Sequence, residues 1–418
     1  MSTVYSKSIA TTIINRHGNF RSNFPTRVEH EKDMYRKLAQ VGTKATSPRI
    51  FNVDDFGARG DRTDDSEAFN KAWKEACSFE GVAVLVIPAN RIYHLKPITF
   101  PGPCKSVLTM MVHGTIKASP RRSDYKESPR QWIVFEKMNN FIVEGGGTIN
   151  GNGRPWWRNS CKINRSLPCV GAPTAVTFDN CLNLRVANIR IKNAQQMHLT
   201  FQDCVNVKAS NLRVIAPEKS PNTDGIHVTG TQNIQIMSSL IRTGDDCISI
   251  VSGSKNVRAT DIICGPGHGI SIGSLGKNKA EDEVSDVVVD RARISGTTNG
   301  VRIKTWQGGS GYAKNIKFQN IIMHNVTNPI IINQNYCDQS ESCPEQPSAV
   351  QVTNVVYKNI RGTSASEVAV KLDCSKTFPC NGIVLQNVNL VREGETKAKA
   401  SCQNVRLAST ERVSPLCQ

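Results

Sequence analysis

What the chain lacks narrows its class first. None of its 14 cysteines forms a CxxC pair, the spacing that holds structural zinc. Helical periodicity is scarce after residue 85; Val, Ile, Thr and Asn dominate there, which reads as an all-β body. Aromatics are 6% of the 418 residues, so a core drawn from the 39% hydrophobic content must be mainly aliphatic. No transmembrane run occurs. Residues 1–20 also lack the apolar centre of a signal peptide, because Ile9-Ala10-Thr11-Thr12-Ile13-Ile14 is short and polar. Acidic residues are in deficit: 35 Asp and Glu stand against 52 Lys and Arg, a formal charge of +17. Such a surface attracts polyanions. Nucleic acid and an acidic polysaccharide fit the sign equally well, and so does a merely solvated basic surface. No recognised nucleic-acid motif accompanies the charge.

The cysteines themselves are plentiful, and several stand in close pairs such as Cys161/Cys169, Cys337/Cys343 and Cys374/Cys380. That usage favours disulfides and an oxidising compartment. Two glycosylation sequons, Asn164-Arg165-Ser166 and Asn325-Val326-Thr327, agree weakly with secretion. The expectation is a secreted chain whose signal is removed ahead of this numbering.

Residues 1–49 carry nine Lys and Arg against three Asp and Glu, a balance of +6, and no β repeat; they read as a flexible or weakly helical pro-segment. The ordered domain is expected over residues 50–418. Thr63 or Asp64 can cap a helix over residues 65–79 with Ala68, Phe69, Ala72, Trp73 and Ala76 on one face. Such a helix would cover the open end of a solenoid.

The solenoid is suggested by a recurring phrase: Asn, alternating apolar residues, then a polar turn. It starts at Asn183, Asn206, Asn233 and Asn256, spaced 23, 27 and 23 residues apart, and again at Asn315 and Asn354; Asp286 takes the same slot. Periods in the twenties with β-rich segments fit a leucine-rich repeat or a parallel β-helix. The Leu consensus is absent and no helix fits inside each repeat. A right-handed parallel β-helix is therefore expected, with the recurrent Asn at turns and stacked from coil to coil.

Chemistry-bearing residues fall on nearly the same interval. Asp224 and Asp246 are 22 residues apart, Asp245 and His268 are 23, and His268 and Lys304 are 36. Residues one coil apart on one face sit about 4.8 Å from each other, so Asp224, Asp246 and His268 can form a ladder. Lys304 completes it if residues 276–283 are an insertion. Arg302 and Lys304, at i and i+2, share a strand face. Asp245 and Asp246 would normally point apart, but a turn or bulge at Gly244 can aim both into one groove. Three clustered carboxylates repel, so at least one should hold a proton at mildly acidic pH. An acid beside an ionised partner suits glycosidic bond cleavage. Taken singly, paired Asp at a Gly turn are commonly turn formers or calcium ligands, and His268 between glycines is an ordinary loop residue. His227 is expected to be structural. An Asp/His cluster also suits calcium, as in the parallel β-helical pectate lyases.

Asn222-Thr223-Asp224, Gly244-Asp245-Asp246, Gly267-His268-Gly269 and Arg302-Ile303-Lys304 resemble, in order and spacing, the four motifs of the polygalacturonases of glycoside hydrolase family 28. The surrounding text is similar to the plant branch that acts in abscission, dehiscence and pollen separation. The resemblance implies a right-handed parallel β-helix and hydrolysis, with inversion, of α-1,4-linked galacturonic acid in de-esterified pectin, with endo action expected. Asp245 would be the general acid. Asp224 and Asp246 would activate water, and His268 would support the acid or bind substrate. Arg302 and Lys304 would grip the substrate carboxylate, with Asn222 and Tyr336 lining the groove. It implies no cofactor and no metal, a cell-wall location, a monomer, pectin as partner alongside wall inhibitor proteins, and neither nucleic acid nor membrane. Val251-Ser252 and Asn333 depart from the family's usual Gly and Asp. Coil spacing alone puts Asp224 and Asp246 about 5 Å apart, short of the ~6.5–9.5 Å of an inverting pair, so inversion comes from the resemblance. The disulfide connectivity stays open; Cys77–Cys104, Cys161–Cys169, Cys247–Cys264, Cys337–Cys343, Cys374–Cys380 and Cys402–Cys417 are expected. Cys181 and Cys204, 23 residues apart, are equally compatible with stacked core thiols.

Overall fold

The computed structural model describes residues 47–338, 343–395 and 397–417. All but the last three residues of the basic segment expected over 1–49 lie outside the described residues. The body begins with the strand Arg49–Asn52 and coils to its end. Its strands pair in parallel, one coil to the next, into an eleven-stranded and a twenty-stranded sheet. This is a right-handed parallel β-helix, the hand that parallel crossovers take. Early coils place two short strands in the larger sheet, such as Gln232–Met237 and Leu240–Arg242. From Lys255–Cys264 onward these fuse into one bent strand, up to 17 residues long in Ser310–Val326.

Alternation of side chains builds the core. Every second residue of the eleven-stranded sheet points inward, and one inward row reads Ile226, Ile248, Ile270, Val301, Ile330 and Val370 in register. All six are buried, each contributing roughly 1.5–3 kcal/mol. The few aromatics are concentrated: Phe100, Phe135, Phe178 and Phe201 stack at centroid distances of 5.2, 5.0 and 5.6 Å. Turns between coils fall on residues with positive φ, including Asn183, Asn206, Asn233 and Asn256. Their amides form the expected ladder: Asn206 donates to Asn183 at 3.0 Å, Asn233 to Asn206 at 3.3 Å and Asn256 to Asn233 at 2.7 Å. Asn315 donates to Asp286 at 3.0 Å, so Asp286 does occupy the slot. A second ladder, Asn387 to Asn359 to Asn320, was not expected.

The helix Ser66–Ser78 buries the five expected residues. Trp73 meets Phe100 at 4.8 Å, which closes the first coil. Its N-cap is Asp65, not Thr63 or Asp64. The Asp65 carboxylate turns away from the helix and accepts from Arg59 N at 2.7 Å and His94 N at 3.2 Å, pinning the preceding loop. All six expected disulfides form, and Cys181 and Cys204 are buried free thiols. Among the described residues no helix is long and apolar enough to cross a membrane.

Candidate active site

A groove of about 440 Å³ runs over the outer face of the eleven-stranded sheet. Asp224, Asp245, Asp246, His268, Asn222, Arg302, Lys304 and Tyr336 all line it. The register explains the ladder. Ile226 pairs with Ile248 and Ile248 with Ile270, so the residues two positions earlier, Asp224, Asp246 and His268, stack on successive coils. Arg302 and Lys304 belong to the next coil but do not continue that column. Ile270 pairs with Val301, so the position above His268 is Asn299. The two cations lie farther along the strand Asn299–Thr305 and reach back to Asp246.

Asp245 reaches the groove by a close approach rather than by an unusual dihedral. A Cβ on Gly244 would lie 2.0 Å from the carbonyl oxygen of Ser220. Only glycine lets the two loops touch there. Asp245 then folds over its own backbone: Oδ1 accepts from Asp246 N at 2.8 Å and from His268 Nδ1 at 2.9 Å, and Oδ2 from Asn222 Nδ2 at 3.3 Å. Asp246 is 1% exposed. It accepts from Arg302 Nη2 at 2.8 Å, Lys304 Nζ at 3.0 Å and Ser271 Oγ at 2.8 Å. Asp224 has no cation. Ser249 Oγ donates to its Oδ2 at 2.9 Å, and its carbonyl accepts from both N and Nδ1 of the buried His198, at 2.8 and 2.9 Å.

These surroundings push Asp224 and Asp245 apart. Burial, then the charges of Asp245 and Asp246, raise the proton affinity of Asp224 well above the carboxylate range. Burial also pushes Asp245 up, but the His268 hydrogen bond and the charges of His268 and Lys304 outweigh it and hold Asp245 below that range. His268 is raised, first by its bond to Asp245. One of the clustered carboxyls does favour a proton, and it is Asp224. The reason is local: Asp245 has an imidazole against it and Asp224 has a single hydroxyl. Tyr336 is pushed up to about 12 by burial. Its ring lies 5.5 Å from Lys304 Nζ and meets Trp306 edge-on at 5.3 Å.

Asp245, Asp246 and His268 bring their ligand atoms within 4.8 Å of one another, close enough for a metal ion. The donor set suits one poorly, because both oxygens of Asp246 already face cations.

Three further residues share the coil interval, two of them lining the groove. His227, Ser249 and Ser271 each follow a ladder residue by three positions and pair in register. His227 lines the groove, burial lowers it to about 4, and its Nδ1 lies 2.7 Å from Ser249 Oγ. Since the Ser249 hydroxyl proton goes to Asp224, the neutral imidazole donates to Ser249. Their common 22-residue spacing was the available signal. Lys162 and Asp338 carried none. They come from two disulfide loops 176 residues apart and pair at 3.1 Å beside the groove.

The family model described as glycosyl hydrolases family 28 matches residues 77–414. Over 374 residues the chain is 66% identical to Polygalacturonase QRT2 of Arabidopsis thaliana, covering 89% of this chain and 85% of that one. It is 58% identical over 370 residues to Polygalacturonase-2 of Solanum lycopersicum, covering 88% and 81%. Among solved structures it is similar to endo-xylogalacturonan hydrolase from Aspergillus tubingensis, with a TM-score of 0.77, 25% identity, and coverage of 88% of this chain and all of that one.

Proposed function

The chain belongs to glycosyl hydrolases family 28 and hydrolyses polygalacturonan in pectin, and from that premise we propose how its residues share the work. Asp245 protonates the glycosidic oxygen as the bond to the anomeric carbon breaks. Water attacks that carbon from the opposite face, which inverts it, and gives its proton to Asp224. Three features support this division. The Asp245–His268 pair shares a proton: His268, raised by that bond, holds it at Nδ1, 2.9 Å from Asp245 Oδ1, and supplies it to the acid. Asp224, the raised member, is a stronger base than Asp245 once ionised. Asp246 orients the water while Arg302 and Lys304 balance its charge; the outer sides of the same cations take a galacturonate carboxylate. Asn222 keeps the acid aimed, and Tyr336 walls the sugar beside Lys304.

The observation that carries the reading is the opposite wiring of adjacent carboxylates, imidazole on Asp245 and two cations on Asp246. Asp245→Asn tests it. The variant should release no reducing ends from polygalacturonate yet still bind it. Turnover within tenfold of wild type would remove Asp245 from the acid role, since a positioned acid contributes about 10²–10⁴-fold. Unsaturated, ultraviolet-absorbing ends that vanish with chelator would instead make it a lyase.

The six disulfides support a secreted protein of the plant cell wall. We take it to act as a monomer, with wall inhibitor proteins able to cover the groove. Tagged protein in wall extracts and light scattering test location and mass. Long early products from polygalacturonate would establish endo action, and monomer alone would establish exo action.

A further inference from the structure

The short strands that follow each Asn ladder carry a feature the catalytic site does not use. Arg190–Lys192, Arg213–Ile215 and Leu240–Arg242 each bury their middle residue and turn the flanking ones outward, and Thr115–Ala118 and Thr148–Asn150 lie in register with them, with Thr148 itself buried. In register, one outward column reads Thr115, Thr148, Arg190, Arg213, Leu240, Ile263, Arg293, Ile322 and Arg361. The column beside it runs Lys117, Asn150, Lys192, Ile215 and Arg242. Neither contains an acidic residue. Among the described residues, none of these seven Lys and Arg side chains has a hydrogen-bond or ion-pair partner, and Arg213 Nε is buried without one. Some cations on other faces are paired, as Lys71 with Glu67 and Lys105 with Glu80 are. The nearest acids, Asp261 and Asp290 on the flanking turn, are already held by Arg291.

We propose that this face is a second, non-catalytic track that holds a polyuronate chain outside the cleavage groove. The spacing favours a linear polyanion. Neighbouring strands lie about 4.8 Å apart, and the first column puts charges on neighbouring coils at Arg190 and Arg213 and on alternate coils at Arg293 and Arg361. Between them stand aliphatic side chains, Ile263 at 47% and Ile322 at 37% exposure, which suit the C–H face of a sugar. No aromatic ring occurs in either column, so bases of a single-stranded nucleic acid find nothing to stack on. Arg242 directly precedes the loop of Asp245, so the track runs past the site. A chain held there stays near the groove and raises the local concentration of cleavable bonds. The choice of polyuronate rests on the proposed function; the existence of a polyanion track does not.

The test joins Arg190→Gln, Lys192→Gln, Arg213→Gln and Arg293→Gln in one variant. A control replaces four ion-paired cations on other faces, Lys71, Lys105, Lys376 and Arg412, by Gln. Binding to long polygalacturonate is measured in an Asp245→Asn background, and turnover of a short oligogalacturonate in the active background. The track variant should bind the polymer at least about tenfold more weakly at low salt, and the loss should shrink as screening grows. Its kcat/KM on the oligomer should equal wild type, and the control should bind as wild type does. Unchanged polymer binding overturns the proposal, and so does an equal loss in the control, which would reduce it to net charge. A loss seen only with DNA or anionic vesicles assigns the face to another polyanion. If the wild type fails to cleave the oligomer, the proposed function fails, while the binding comparison still decides the track.

Discussion

Asp224→Asn should stabilise the protein at neutral pH while it disables the enzyme. Asp224 is 8% exposed, has no cation against it, and is pushed up first by burial and then by the negative charges of Asp245 and Asp246. The fold therefore binds its proton more tightly than the unfolded chain does, where the carboxyl titrates near 3.8. The sign follows by linkage. Stability owed to the protonated form is complete below 3.8 and is lost as pH rises through the folded value. Within that window one extra bound proton gives a slope of about 1.4 kcal/mol per pH unit. Asparagine keeps the shape and can still accept from Ser249, but it does not titrate.

The measurement is the difference in urea-unfolding free energy between variant and wild type at half-unit steps from pH 3.5 to 7. The two should agree within error at the acid end, apart from a fixed offset. The variant should then gain about 1.4 kcal/mol per unit until Asp224 ionises in the fold, and hold that lead above it. Taking the difference cancels the carboxyls that do not interact with Asp224. A flat difference across the range would refute the raised affinity, and with it the choice of Asp224 over Asp245 as the base. Activity should fall by about 10²–10⁴-fold at every pH, as loss of a general base requires.

Ser249→Ala removes the hydrogen bond that partly offsets that rise, so the acid limb of kcat/KM should move to higher pH; a limb that stays put or moves down separates it from Asp224. The alkaline limb of the wild type should lie above 6.5, because Asp245 raises His268, and a limb below that value contradicts the shared-proton acid. Lys304→Met leaves Asp246, 1% exposed, with Arg302 as its only cation; the unfolding free energy should drop by about 3 kcal/mol, the low end for a broken buried pair, and a drop under about 1 kcal/mol would mean solvent already screens it. Gly244→Ala drives a methyl into the Ser220 carbonyl, 2.0 Å away; even a small displacement of Asp245 should lower kcat by roughly 10²-fold with circular dichroism unchanged, and normal kcat would show that the loop approach is not needed.

What was legible in the sequence was whatever the coil repeats. Asp224, Asp246 and His268 were found because each lies two residues before a row that pairs in register, Ile226, Ile248 and Ile270. The outward row His227, Ser249 and Ser271 has the same interval but was passed over, because serine and a single histidine announce no chemistry until their partners are known. The cations illustrate how a period misleads. The 36 residues from His268 to Lys304 are not one coil: the stacked position is Asn299, 31 residues on, and the cations act from farther along the strand. Lys162 and Asp338 belong to loops, which obey no period, and their pairing could only be seen in space.

The division has a mechanistic consequence. A repeat fixes side chains one strand spacing apart, too close by itself for a water to stand between acid and base in an inverting pair. The fold resolves this by taking the two roles from different structural sources. Asp224 and Asp246, the carboxylates proposed to direct water, sit in the ladder, where serines from the same repeat hold them. Asp245, the acid proposed above, sits off the ladder, on a loop that only Gly244 lets approach Ser220. Changes that preserve the coil but move that loop should therefore remove acid catalysis while leaving the ladder, its proton affinities and polymer binding intact. Gly244→Ala and Asp224→Asn are the complementary probes: the first should lose kcat with the stability-versus-pH slope unchanged, the second should lose both. If Gly244→Ala also erased the slope, acid and base would share one support, and the separation argued from the register would not hold.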